Sequence, residues 1–282
     1  MKIIECPRDA MQGIHEFIPT EKKVAYINSL LKVGFDTIDF GSFVSPKTIP
    51  QMRDTAQVLE QLDLSISKSK LLSIIANVRG AQDAVEFEEI DYLGFPFSIS
   101  ETFQQRNTNS SISESLTRVE EIHDLCVRNK KELVVYISMA FGNPYGDEWS
   151  SDVVIKWTKR LAQMGIKIIA LSDTIGVSDP QNISFLFSKL VPEFPDVEIG
   201  AHLHTTPDTW EEKVNAAYIS GCRRFDSTIK GYGGCPMAAD KLTGNMPTEN
   251  LLSYFEKRNI STGIDKVAFE EAMIIATKTF PV

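Results

Sequence analysis

Short runs of β-branched and apolar residues recur along the chain, and longer stretches with helical spacing of their apolar positions lie between them. The strand candidates are K-I-I-E (2–5), D-T-I-D-F (36–40), L-L-S-I-I-A (71–76), E-I-D-Y-L-G-F (89–95), L-V-V-Y-I-S (133–138), K-I-I-A-L-S (167–172), V-E-I-G-A-H (197–202) and R-R-F-D-S (223–227). Helix-like segments occupy 20–34, 112–129, 151–164, 180–191 and 207–220. Three of them carry start signals: Thr20 before E-K-K, Ser111 with Glu114 three residues on, and the Asp179-Pro180 step. Strands alternating with helices predict a parallel sheet, and eight such units favour a closed (β/α)8 TIM barrel over a doubly wound sheet. No Pro/Ser-rich linker or internal repeat divides the chain. The expectation is one domain over 1–282, with the barrel at about 1–245 and closing helices at about 246–282.

In such a barrel the active site lies at the C-terminal ends of the strands. Polar residues gather at those ends. Arg8 and Asp9 follow the first strand, Asp39 ends the second and Asn77 follows the third. Ser138 ends the fifth, Asp173 follows the sixth, His202 and His204 end the seventh, and G-Y-G-G-C-P (231–236) follows the eighth.

The chain has only four histidines, and two of them form the H-L-H step at 202–204. Residues two apart on a strand point to the same side, so both imidazoles can aim at one point. That spacing suits two ligands on a divalent ion; it also suits two unrelated, hydrogen-bonded histidines near a strand end. Asp9 and Asn245 offer oxygen ligands, and a set of imidazole, carboxylate and amide oxygen suits Mg2+ or Mn2+ more than structural zinc. Cys235, at the tip of the glycine-rich run, is either a buried thiol in a tight turn or a mobile acid/base group. Arg8, beside Asp9, is either a surface arginine or, where Asp9 holds a metal, a group placed to stabilise negative charge developing on a substrate oxygen. Asp173 either caps a turn or acts on substrate.

A net charge of −9 argues against a nucleic-acid partner, which needs a basic surface. No apolar run reaches the ~18 residues expected of a membrane span, so no membrane partner is expected. The four cysteines are widely spaced without a C-x-x-C pair, and the first residues show no signal-peptide pattern. They are read as reduced thiols in a cytoplasmic protein.

Taken in order, P-R-D-A-M-Q (7–12), S-F-V-S-P-K (42–47), P-Q-M (50–52), S-D-T-I-G-V (172–177), the H-x-H at 202–204 and G-G-C-P…G-N (233–245) resemble the hydroxymethylglutaryl-CoA lyase family over essentially the whole chain. The resemblance implies a metal-dependent barrel and a retro-Claisen cleavage of 3-hydroxy-3-methylglutaryl-CoA to acetoacetate and acetyl-CoA. Asp9, His202, His204 and Asn245 then match the metal ligands. Arg8 matches the group that stabilises the acetyl-CoA enolate, Cys235 the acid/base thiol, and Asp173 an acidic residue near the substrate hydroxyl. Asp39 is a further catalytic candidate, and Gln12, Asn77 and Ser138 are candidates for binding substrate. An acyl-CoA partner and a homodimer are expected on the same ground.

The chain departs from the family's pattern at several places. Asp39 stands where Glu is usual, Thr205 where Asp follows the histidines, and Ala10-Met11 where Gly-Leu follows Arg-Asp. The segment from Cys235 to Asn245 is one residue longer. These departures bear on which 3-hydroxyacyl-CoA is preferred. A Claisen-type synthase related to homocitrate or isopropylmalate synthase is the alternative within the same group, and a catalytically silent acyl-CoA-binding barrel is the alternative outside it.

Overall fold

The computed structural model describes residues 1–65, 67–234 and 243–280. The chain runs through β1 (Lys2–Glu5), α1 (Pro7–Gln12), α2 (Thr20–Leu31), β2 (Thr37–Ser42), α3 (Thr55–Leu59), β3 (Lys70–Ile74), α4 (Val78–Val85) and β4 (Tyr92–Ser98). It continues through α5 (Glu101–Thr108), α6 (Ile112–Arg128), β5 (Glu132–Ser138), α7 (Ser151–Gln163), β6 (Ile168–Ser172), α8 (Pro180–Glu193) and β7 (Glu198–His202). The remaining elements are β8 (His204–Thr205), α9 (Trp210–Ile219), β9 (Arg224–Ser227), β10 (Gly244–Asn245), α10 (Thr248–Lys257) and α11 (Lys266–Thr279).

Strands β1 to β7 and β9 pair in parallel and in sequence order, and β9 closes onto β1, giving the expected (β/α)8 barrel. The ring closes over four register pairs, from Lys2 opposite Arg224 to Glu5 opposite Ser227. All eight strand candidates form barrel strands. The fourth is displaced: the expected 89–95 becomes 92–98, because Asp91 ends the preceding loop, where its carboxylate accepts from the Leu71 amide and the Lys70 ammonium. The strand then runs through Pro96, a residue disfavoured inside sheets.

Two start signals act as expected. Ser111 and Glu114 form a reciprocal capping box, and Asp179 accepts from the Gln181 and Asn182 amides ahead of α8. Thr20 does not cap α2. It is the first helical residue, Pro19 holds the cap position, and the Thr20 hydroxyl donates to Asp54 Oδ2 at 2.8 Å.

The barrel interior is unevenly filled. Leu72, Ile74, Val134, Tyr136, Ile168 and Ala170 form an apolar cluster from β3, β5 and β6, separate from the larger core beneath the helices. Charged residues, among them Asp39, Arg224 and Asp226, are buried on β2 and β9. A register shift between Asp39 and Gly41 breaks the β2–β3 ladder at its C-terminal end, the kind of bulge that re-aims a side chain at a barrel rim. After β9 the chain forms α10 and α11, and α11 packs along α2.

Candidate active site

The first turn after β1 builds half the site. Pro7 occupies the first position of α1, where its fixed φ suits a helix start and its missing N–H costs nothing. The short helix then carries Arg8, Asp9 and Gln12 on neighbouring positions, in a segment outside the helix-like stretches of the hydrophobic pattern. Arg8 Nε donates to both oxygens of Asp39, at 3.2 and 3.0 Å, and Arg8 Nη2 donates to Asp39 Oδ2 at 2.5 Å. Its other arm, Nη1, donates to Asp9 Oδ1 and to Gln12 Oε1, both at 3.0 Å. Gln12 closes the loop by donating to Asp9 Oδ1 at 2.6 Å. One guanidinium therefore bridges two buried carboxylates, and its five donors suit that geometry where a lysine would not.

The second half comes from β7 and β8. His202 ends β7, while His204 opens a separate two-residue strand paired antiparallel with β10, so the two histidines do not end one strand as expected. In that ladder Asn245 lies opposite His204 and Gly244 opposite Thr205. The pairing brings a residue from beyond the glycine-rich run back to the histidines. Asn245 Nδ2 donates to Asp9 Oδ2 at 2.7 Å and to the Tyr232 carbonyl at 2.9 Å. The two imidazole centroids are 5.5 Å apart, and His202 Nε2 lies 4.0 Å from Asp9 Oδ2.

Among the described residues, Asp9, His202 and His204 each offer a ligand atom, all within 4.8 Å of one another. The donors fit a divalent cation. Burial, then the neighbouring His202, pushes His204 down to about 4, so it is neutral, as a metal ligand must be. Its Nδ1 is buried without a hydrogen-bond partner among the described residues. His202 Nδ1 faces Asp226 Oδ2 at 3.1 Å, which leaves Nε2 turned toward Asp9. Burial opposes ionisation of Asp9, but Arg8 and then the two histidines hold it below its ordinary value. Burial dominates at Asp39 and lifts its carboxyl to about 6 in spite of Arg8.

A single pocket takes in Arg8, Asp9, Gln12, Asp39, Ser138, His202, His204 and Gly234. Its other wall is largely apolar, with Val44, Ile49, Ile74, Phe103 and Tyr136. Two candidates stand apart from it. Asn77 is exposed and caps α4, its side chain accepting from the Gly80 amide at 2.9 Å. Asp173 is buried with both oxygens engaged: Oδ1 accepts from the Ser178 amide at 3.0 Å, and Oδ2 from the Ser178 hydroxyl at 2.5 Å and Lys213 Nζ at 2.9 Å. Lys213 donates onward to the His204 carbonyl at 2.9 Å. Cys235 lies outside the described residues.

Sequence reasoning missed Asp226, Lys213 and Tyr232. Asp226 had a signal, since it stands two residues after Arg224 at the end of a strand, where alternate polar residues share one side. Lys213, inside the helix-like segment 207–220, had none.

A parallel eight-stranded barrel with two histidines, a carboxylate and an arginine–aspartate pair at its C-terminal mouth defines a metal-assisted lyase or transferase scaffold. The chain belongs to the HMGL-like family, whose profile matches residues 2–274. It is 32% identical over 258 residues to the hydroxymethylglutaryl-CoA lyase of Bacillus subtilis (strain 168), covering 92% of this chain and 85% of that protein. It is also 32% identical over 266 residues to the 3-hydroxy-3-isohexenylglutaryl-CoA/hydroxy-methylglutaryl-CoA lyase of Pseudomonas aeruginosa, covering 94% of this chain and 88% of that protein. Among solved structures, an HMG-CoA lyase from Acinetobacter baumannii in complex with coenzyme A and 3-methylmalate superposes with a TM-score of 0.90 at 30% identity, over 99% of this chain and 90% of that one. No helix among the described residues is long and apolar enough to cross a membrane.

Proposed function

We propose that this chain is a divalent-metal-dependent carbon–carbon lyase cleaving 3-hydroxy-3-methylglutaryl-CoA to acetoacetate and acetyl-CoA. The observation that carries the reading is the Asp9–His202–His204 cluster sharing one pocket with the Arg8–Asp39 pair. The relatives that match over most of the chain are named lyases, so we adopt the cleavage direction over the condensing one.

Mg2+ or Mn2+ is the ion we assign, from the nitrogen and oxygen donors. Bound there, it supplies Lewis-acid polarisation of substrate oxygens. Asp9, His202 and His204 would hold it. Asn245 would join them through its amide oxygen, after a turn of the amide that gives up its bonds to Asp9 Oδ2 and to the Tyr232 carbonyl.

Asp39 takes the proton of the tertiary hydroxyl, for which a carboxyl near 6 is well matched at neutral pH. The C–O bond becomes a carbonyl, the C2–C3 bond breaks, and its electron pair leaves with acetyl-CoA as the enolate. Arg8, held in place by Asp39 and Gln12, stabilises that oxyanion. Cys235 returns a proton to the enolate carbon. Gln12 and Ser138 contact substrate from the pocket wall. We assign Asp173 to positioning the His204 strand through Lys213, and Asn77 to capping α4, because neither lines the pocket that holds Asp39 and the histidines.

A second reading is a larger alkyl group in place of the 3-methyl. It is favoured by the apolar wall of Val44, Ile49, Ile74 and Phe103 and by the substrate named for the Pseudomonas relative. We assign the protein to the cytoplasm, where its free, buried Cys6, Cys126 and Cys222 stay reduced, and to the homodimer expected of the family. The deciding experiment incubates the purified protein and Mg2+ or Mn2+ with a panel of 3-hydroxyacyl-CoA thioesters of graded 3-substituent, and measures acetyl-CoA and the keto acid. Release from the methyl member is expected. Failure to cleave any member with either ion would overturn the lyase reading.

A further inference from the structure

Beneath His202 the barrel contains a set of polar atoms that the mechanism above does not use. Asp226 reaches His202 with Oδ2, but its Oδ1 is buried without a hydrogen-bond partner among the described residues. Arg224 stands two residues earlier on β9, so its side chain leaves the strand on the same side. It is fully buried. Its Nη1 donates to Glu198 Oε1 at 3.0 Å, while Nε and Nη2 have no partner among the described residues. Tyr136, packed edge-on to the His202 ring with centroids 5.9 Å apart, has a buried hydroxyl in the same condition.

The sequence makes room for this arginine. Gly200 lies opposite Arg224 in the β7–β9 ladder, and a Cβ there would sit 3.0 Å from Arg224 Cδ and 3.3 Å from Cγ. Asp226 and Tyr136 are close enough to act electrostatically on the guanidinium. Three unpaired donors and one unpaired carboxylate oxygen therefore share the barrel interior. Such buried groups are costly to leave unmet, and ordered water typically joins them by two to four bonds.

We propose that Arg224 and Tyr136 position Asp226 through water bound in the barrel core, and that Asp226 in turn fixes the His202 ring for metal binding. Arg224 is thus a positioning residue. Glu198 anchors one arm of its guanidinium at the start of β7, and Nε and Nη2 stay buried in the barrel. The inference rests on the metal-site assignment above, but not on the identity of the acyl-CoA.

The test titrates the full chain with Mn2+ alone, comparing wild type, Arg224→Lys, Asp226→Asn and the double variant. Arg224→Lys keeps the charge and the stem but removes the Nε and Nη2 fork. It should weaken Mn2+ binding about tenfold, and Asp226→Asn at least as much, the range typical of groups that orient a ligand histidine. The double variant should bind no more weakly than Asp226→Asn, because Arg224 acts through Asp226. In metal-free protein, nitrogen NMR of His202 should shift from one ring tautomer toward a mixture in both single variants, which a merely structural loss would not produce. Wild-type affinity in a folded Arg224→Lys, or losses that multiply in the double variant, would overturn the proposal. Should Arg224→Lys not fold, Tyr136→Phe carries the same test, and unchanged Mn2+ affinity there overturns it equally. A wild type that binds no Mn2+ removes the metal site as well, whereas binding that is indifferent to residue 224 removes this proposal alone.

Discussion

At the scale of single residues, the site is held together by close approaches that leave little room for change. Gly233 has φ +84°, and a Cβ there would lie 2.6 Å from the Asp9 carbonyl oxygen, 2.9 Å from Ala10 Cα and 3.0 Å from Asn245 Nδ2. Gly233→Ala thus faces about 1–2 kcal/mol of backbone strain and a collision with the backbone that carries Asp9. The expected result is a folded barrel by circular dichroism with Mn2+ affinity reduced tenfold or more; retained affinity would mean that α1 shifts freely. Cys235→Ser should leave metal content unchanged and cut turnover by roughly a hundredfold or more, since a hydroxyl is a poor acid at neutral pH. Turnover near wild type would remove the thiol from the mechanism. Asp9, His202 and His204 were legible in the chain because strand ends in a barrel converge, so residue type and position together singled them out. The engagement of Asp173 was not legible. It depends on Lys213 arriving from α9 forty positions away, and neither residue's spacing carries that information.

At the scale of elements, the long periodic segments were legible and the short ones were not. Eight strands and five longer helices follow from alternating apolar runs, because burial against a common core imposes the pattern. Helices α1, α3, α4 and α5 are 5–8 residues long, too brief for a helical period to stand out and too short to persist without tertiary support. The β8–β10 pair escapes for a related reason, since a two-residue ladder across a 38-residue gap leaves no periodic trace. Lys213 is the buried tie among β6, β8 and α9, meeting the Asp173 carboxylate, the Gly176 carbonyl and the His204 carbonyl. Lys213→Met should therefore lower stability in urea unfolding by about 3–5 kcal/mol, the cost of leaving a buried carboxylate uncompensated. Adding Asp173→Asn in the same chain should recover much of it, because the uncompensated charge is then gone. A Lys213→Met loss under about 1 kcal/mol would show that the pair is solvated and unimportant to the fold.

At the scale of the whole molecule, the two ends of the chain are joined at Glu5. This carboxylate on β1 accepts from the Ile229 amide at 2.8 Å and from the Thr248 hydroxyl at 2.6 Å, so it links the first strand to the turn after β9 and to the start of α10. Burial is the largest influence on it and pushes it up to about 8 from an ordinary value of 4.5, against the smaller opposing effect of the two hydrogen bonds. Between those values the folded protein keeps a proton that the unfolded chain has released. The stabilisation is complete below about 4.5 and is lost as pH rises toward 8, at about 1.4 kcal/mol per pH unit for this group within that window. Glu5→Gln keeps an oxygen for the Ile229 amide and cannot ionise. Its stability relative to wild type should rise steadily from pH 5 to pH 8 when both are unfolded in urea at each pH. Asp39, also raised by burial, contributes to both proteins alike and cancels in the difference. A stability difference that stays flat across that window would mean that Glu5 is ionised in the folded barrel, with the hydrogen bonds from Ile229 and Thr248 outweighing its burial.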